Sequence, residues 1–77
     1  MYVLKTLYQP SRYYIGLTSS VGVRLDEHNA GRCPQTASRR PWRLQVAVAF
    51  ADEDRAVRFE RFLKSTTGRA FAKQHFE

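Results

Sequence analysis

Two short runs that alternate residue by residue, Tyr2 to Leu7 and Arg12 to Leu17, flank the turn signal Gln9-Pro10-Ser11, and they leave this chain little choice but a β-hairpin near its start. Side chains alternate along an extended chain. Tyr2, Leu4 and Thr6 therefore share one face of the first run, and Tyr14 and Gly16 share one face of the second, opposite Tyr13, Ile15 and Leu17. Pairing the runs brings two tyrosine-bearing strands together, with Tyr2 and Tyr14 within reach of one another. Gly16 ends the face that carries Tyr14, and a glycine that weakens a strand admits a close approach to the backbone, as by a phosphate.

The remaining chain reads as four helical or extended segments around a loop. Thr18-Ser19-Ser20 offers a helix N-cap, and Val21, Leu25 and His28 follow at the spacing of one helical face, with Arg24 beside that stripe. Ala30 to Trp42 is a loop of turn-formers and cations. Arg43 to Ala51 alternates, with Leu44, Val46, Val48 and Phe50 on one face and Ala47 and Ala49 on the other, which predicts the central strand. Asp52 caps a helix predicted from about Glu53 to Ser65, with acids in its first turn and Lys64 in its last. Gly68 ends or separates that helix from a short terminal one, roughly Arg69 to Phe76, which packs back through Phe71 and Phe76. The expected fold is α/β: a small three-stranded antiparallel sheet flanked by helices, in the order β-β-α-β-α-α.

With 77 residues the chain forms one domain, close to the size at which a single core is only just sufficient. Thirteen Lys and Arg against seven Asp and Glu give a formal charge of +6, and ten of the cations are arginine, whose planar fork suits phosphate oxygens. Charge alone leaves two readings open, a polyanionic partner and an indifferent basic surface. The single cysteine, Cys33, excludes an internal disulfide framework or a thiolate zinc site, and with no leader-like or membrane-length apolar run the expectation is a cytoplasmic protein.

Glu60 departs from the pattern. Ala56, Phe59 and Leu63 mark the inward stripe of the predicted helix, and Glu60 lies on its border, where carboxylates are seldom found without a partner. An ion pair with Lys64, one turn on, or with a basic residue of the first helix would satisfy it.

Several motifs occur in the order and spacing of one family. Tyr14-Ile15-Gly16 and Met1-Tyr2-Val3-Leu4 resemble the two halves of the signature that names the GIY-YIG nucleases. Val23-Arg24-Leu25-Asp26-Glu27-His28-Asn29 resembles the helix that carries their arginine, and Arg40-Pro41-Trp42-Arg43-Leu44 and Arg58-Phe59-Glu60-Arg61-Phe62-Leu63-Lys64-Ser65 resemble their later motifs. The likeness spans nearly the whole chain and is strongest to the small stand-alone bacterial members, which are related to the nuclease domain of the excision-repair incision subunit. It implies hydrolysis of DNA phosphodiester bonds by water, duplex or branched, in a setting of DNA repair or recombination.

By the same resemblance Glu60 would hold one Mg²⁺ or Mn²⁺, hard cations that accept one carboxylate plus waters and substrate oxygens. Arg24 would grip the scissile phosphate. Tyr2 and Tyr14 would position and deprotonate the water, with the choice of base left open, and His28, one turn beyond Arg24, would support the same phosphate or transfer a proton. Asn29, Thr36, Arg39, Arg40 and Arg43 would form a rim facing DNA phosphates. The chain departs from the family in having no asparagine after the glutamate and no glycine before Tyr2. With no attached module, it implies weak specificity, a targeting partner protein, or selection of substrate by structure. Two non-enzymatic readings stand beside this one: a nucleic-acid-binding module that has lost turnover, and an interaction domain using its tyrosines and Trp42.

Overall fold

Tyr2, Val3 and Leu4 are consecutive in sequence and all but completely buried, at 1%, 1% and 0% exposure, so the strand that holds them must be covered on both faces and paired on both edges. The computed structural model, which describes residues 1–77, places it there. Strands β1 (Tyr2–Thr6), β2 (Tyr13–Gly16) and β3 (Trp42–Ala47) form an antiparallel sheet in the order β2-β1-β3. Helices α1 (Val21–Asn29) and α2 (Pro34–Ala37) connect β2 to β3, and α3 (Glu53–Leu63) and α4 (Thr66–His75) follow. The expected α/β architecture is present, with one correction to its centre: β1, not the strand after Trp42, is the middle strand.

The hairpin forms as its alternation requires. Tyr2 lies opposite Gly16 and Leu4 opposite Tyr14. Thr6 closes the turn, its backbone N–H donating to the Arg12 carbonyl at 3.0 Å and its Oγ1 accepting from the Arg12 N–H at 2.9 Å.

The sheet separates two apolar clusters. Tyr2, Leu4 and Trp42 pack with Tyr14, Val21 and Leu25 under α1. Met1, Val3, Leu63 and Ala72 pack on the other side with residues of α3 and α4 and with Tyr13, Ile15, Val46 and Val48. Leu4 and Leu63 anchor the two sides, and burying a leucine is worth about 1.5–3 kcal/mol.

A register irregularity in the β1–β3 pairing alters the predicted faces of β3. Val3 pairs with Val46 but Leu4 pairs with Leu44, so Gln45 is passed over as a bulge. An extra residue turns everything beyond it to the other face. Trp42 thus joins the cluster under α1 while Val46 and Val48 join the opposite one, and Leu44 does not share a face with Val46 as alternation alone predicted.

The remaining elements differ at their ends. Pro34 opens a one-turn helix, α2, inside the predicted loop, as its fixed φ favours at a first helical position. Ser20 precedes α1 without a side-chain cap bond, its own N–H instead meeting Thr18 Oγ1 at 3.1 Å. Asp52 caps α3 as expected, accepting from the Arg55 N–H at 2.8 Å. Gly68 does not end a helix: it lies in the first turn of α4, which Ser65 caps by accepting from the Gly68 N–H at 3.1 Å. Phe71 and Phe76 pack back as predicted, each at an edge-to-face angle to Phe59 with ring centres 6.0 and 6.2 Å away.

Candidate active site

On the α1 side of the sheet, β1 and β2 bring Tyr2 and Tyr14 together with ring centres 6.3 Å apart. His28, on the inward face of α1, stacks 4.9 Å from Tyr14 and 5.9 Å from Tyr2. Arg24, one turn earlier, lies beside the Tyr2 hydroxyl, and its Nη1 is 3.4 Å from Glu27 Oε1. Four residues that the sequence singled out are thus neighbours because two strands and one helical stripe converge there.

A buried chain of hydrogen bonds runs through the cluster. Tyr2 Oη is 2.8 Å from His28 Nε2, and His28 Nδ1 is 2.7 Å from Thr36 Oγ1. Thr36 Oγ1 in turn donates to the Cys33 carbonyl at 3.4 Å. Thr36 has only one proton to give, so His28 Nδ1–H donates to it and Nε2 accepts from Tyr2. Burial pushes the Tyr2 hydroxyl above its ordinary range, partly offset by the hydrogen bond and charge of Arg24, which keeps this donor protonated. The bond to Tyr2 raises the Arg24 guanidinium, which stays charged at any working pH.

Burial is also the main reason why His28 holds its proton less readily than a free histidine, and the charge of Arg24 adds to it while Glu27 opposes. Neutral His28 is therefore part of the fold. The unfolded chain takes up a proton near pH 6.5 where the folded one resists it, so this contribution is complete above about pH 6.5 and is lost as pH falls toward the lower folded value. Urea midpoints measured between pH 7.5 and 5.5 should fall on acidification, by at most about 1.4 kcal/mol per pH unit from this group. His28→Gln should start less stable but decline more shallowly; parallel declines would show that His28 does not titrate with folding.

Several residues expected at a DNA-facing rim have other partners. Gly16 is buried, and its missing side chain makes room for Tyr2, whose Oη would lie 2.6 Å from a Cβ there; the close approach is by a phenol of the same sheet and not by an outside phosphate. Thr36 is 1% exposed and faces His28. His28 itself has no exposed surface and reaches its neighbours rather than solvent. The Asn29 amide clamps the backbone of Trp42, accepting from its N–H at 2.7 Å and donating to its carbonyl at 2.9 Å. Arg40 donates Nε to the Ala37 carbonyl and lies over Gly31, whose φ of +79° favours glycine. Arg43 pairs with Lys5, one position out of step with Trp42, and so lies on the sheet face away from Tyr2 and Tyr14. Arg39 is exposed with no side-chain partner. Trp42 is buried, with Nε1 donating to the Thr36 carbonyl at 3.0 Å, and offers no surface for a partner.

Glu60 stands apart from the tyrosine cluster. Its helix packs on the other side of the sheet, and its only hydrogen-bond and ion-pair partner is Lys64, with Nζ 2.6 Å from Oε2. The side chain is 16% exposed, and Oε1 carries no hydrogen bond. No group of three or more His, Cys, Asp or Glu side chains is arranged to hold a metal. Such a donor set fits a hard divalent cation that takes one carboxylate oxygen and keeps its waters, and does not fit an all-protein cage.

No helix is long and apolar enough to cross a membrane. Among curated proteins the chain is similar to UPF0213 protein SAG0778 of Streptococcus agalactiae serotype V, at 35% identity over 79 residues covering 97% of this chain and 88% of the relative. A UPF0213 protein of Streptococcus pneumoniae serotype 4 is 38% identical over 65 residues, covering 83% of this chain and 64% of the relative. No solved structure gives a significant match. The GIY-YIG catalytic domain matches residues 2–75, which takes in both tyrosines, Arg24, His28 and Glu60, and with that span and sheet topology the chain belongs to the GIY-YIG family of nuclease domains.

Proposed function

We propose that this protein is a metal-dependent endonuclease that hydrolyses DNA phosphodiester bonds by attack of water. The observation that carries the reading is the convergence of half-buried Tyr14 and always-charged Arg24 around His28 and Tyr2, which a buried chain of hydrogen bonds holds in place. Arg24 faces the phosphate with its free donors and stabilises the charge that grows on the non-bridging oxygens. Tyr14, once ionised, takes a proton from the water as its oxygen bonds to phosphorus and the bond from phosphorus to the leaving sugar oxygen breaks; that oxygen takes a proton from solvent.

Tyr2 is suited to a different part. It is buried, kept protonated, and committed to His28, so it orients the cluster through Arg24 rather than acting as base. His28 and Thr36 hold Tyr2 in turn. Glu60 would hold Mg²⁺ or Mn²⁺ through the oxygen that Lys64 leaves free, and when bound such an ion supplies charge neutralisation at the phosphate and lowers the cost of ionising water.

Nicking of supercoiled and branched DNA at low salt tests this assignment. Wild-type protein should nick with Mg²⁺ or Mn²⁺ and stop when a chelator is added. Tyr14→Phe should lower the rate by about 10²-fold, within the range of a lost general base, at unchanged melting temperature. Tyr2→Phe leaves a buried acceptor on His28 unpaired and should act first on stability, by about 1–3 kcal/mol. A Tyr14→Phe enzyme as fast as wild type would remove Tyr14 as the base, and DNA binding without nicking by any preparation would favour a binding module.

A further inference from the structure

A groove of about 470 Å³ runs along the outer edge of β2, between that strand and the end of α3 and the body of α4. Nothing in the expected DNA rim touches it. Tyr13, Tyr14 and Ile15 form one wall, and Lys64, Arg69 and Lys73 bring three cations to the other against one acid, Glu77. Lys64 is engaged by Glu60, whereas Arg69 and Lys73 are exposed and have no hydrogen-bond or ion-pair partner. They lie four residues apart on α4, so their side chains rise from the same helix face about 5–6 Å apart at Cβ, close to the spacing of successive phosphates on a strand.

The groove also joins the two parts of the candidate site that no direct contact links. Tyr14 lines it from β2 and stacks on His28 within the sheet face. Lys64 lines it from the end of α3 and holds Glu60. We propose that this groove binds the sugar-phosphate backbone of one DNA strand, with Arg69 and Lys73 contacting successive phosphates next to the scissile one. Unpaired cations beside aromatic side chains are what a single strand uses, its charge meeting the cations and its bases finding ring surfaces. The inference rests on the nuclease reading only for what the strand does after it binds.

The test is the salt dependence of binding to a short fluorescent single-stranded oligodeoxynucleotide with chelator present, so that no cleavage is needed. Arg69→Glu/Lys73→Glu should weaken binding at least tenfold at low salt and flatten the plot of log affinity against log salt by about 1.4, since each phosphate that a cation neutralises on a single strand adds roughly 0.7 to the slope. Arg69→Gln/Lys73→Gln should flatten the slope equally with a smaller loss of affinity. The same charge change at Arg55 and Arg58, exposed on α3 and outside the groove, controls for net charge and should leave the slope nearly unchanged. Equal slopes in all variants, or equal flattening by the α3 pair, would overturn the proposal. If the slope flattens but wild-type protein never nicks DNA, the groove stands and the nuclease reading falls; if it nicks with the slope unmoved, the reverse holds.

Discussion

Arg24→Ala and Glu60→Ala should each lower DNA nicking by about 10³-fold or more while the protein stays folded, a loss in the range seen when a cation facing a transferring phosphoryl group is removed. Neither side chain holds the structure together. Arg24 is 35% exposed and its ion pair with Glu27 is solvated, so that pair contributes about 0–1 kcal/mol. Glu60 pairs with a Lys64 side chain that is 54% exposed, and the same small figure applies. A drop in rate without a matching drop in melting temperature therefore assigns both residues to chemistry. Arg24→Lys separates charge from geometry: lysine keeps a positive charge but loses the planar fork, and should recover only part of the rate. Glu60→Ala nicking at the wild-type rate would mean that the metal sits elsewhere or that the activity is a contaminant's.

Gly68→Ala should be the most damaging conservative change to the fold. A Cβ at this position would overlap the Phe62 carbonyl oxygen and lie 2.7 Å from Leu63 Cα, and both belong to the backbone at the end of α3. A side chain could swing away; a backbone cannot. The first turn of α4 would have to lift off α3, pulling Ala72 from its contacts with Leu63 and Met1 in the cluster below the sheet. Overpacking of this kind costs about 3 kcal/mol at the upper end of its usual range. For a chain this short that lowers the melting temperature by roughly 12–24 °C, at about 4–8 °C per kcal/mol. Gly22→Ala, on exposed α1 with nothing near its Cβ, is the matched control and should leave stability unchanged or raised. Equal melting temperatures for the two would show that the helices have slack where the structure shows contact.

The sequence is most legible where one element decides the outcome. Alternation alone puts Tyr2 and Tyr14 on one face, and helical spacing puts Arg24 and His28 on one side of α1. It fails where a second element intervenes. The strong alternation of β3 points to the wrong middle strand, although the unbroken apolar run Met1-Tyr2-Val3-Leu4 is the pattern of a strand buried on both faces. The bulge at Gln45 leaves no mark in the sequence, since it answers to what covers each face. Gly68 looks like a break because glycine often is one, when its use here is the close crossing of two helices. The family resemblance implies Asn29 and Thr36 as contacts to DNA, but in the fold their side chains are engaged by Trp42 and His28. The pair Arg69 and Lys73 shows its four-residue spacing in the bare sequence, but only the packing of α4 against β2 gives that spacing a groove to face.

The central position of β1 has a consequence during synthesis. The ribosome releases β1 and β2 together, and they can pair at once as a hairpin, but the other edge of β1 must wait for β3, which is separated from it by two helices and their connections. Until then Tyr2, Val3 and Leu4 sit beside an unpaired row of backbone donors and acceptors, and the layer of α3 and α4 that covers Val3 does not yet exist. An open apolar edge of this kind recruits strands from other chains. Nascent chains halted before Trp42 should therefore associate with one another or with chaperones, and those extended past α4 should not.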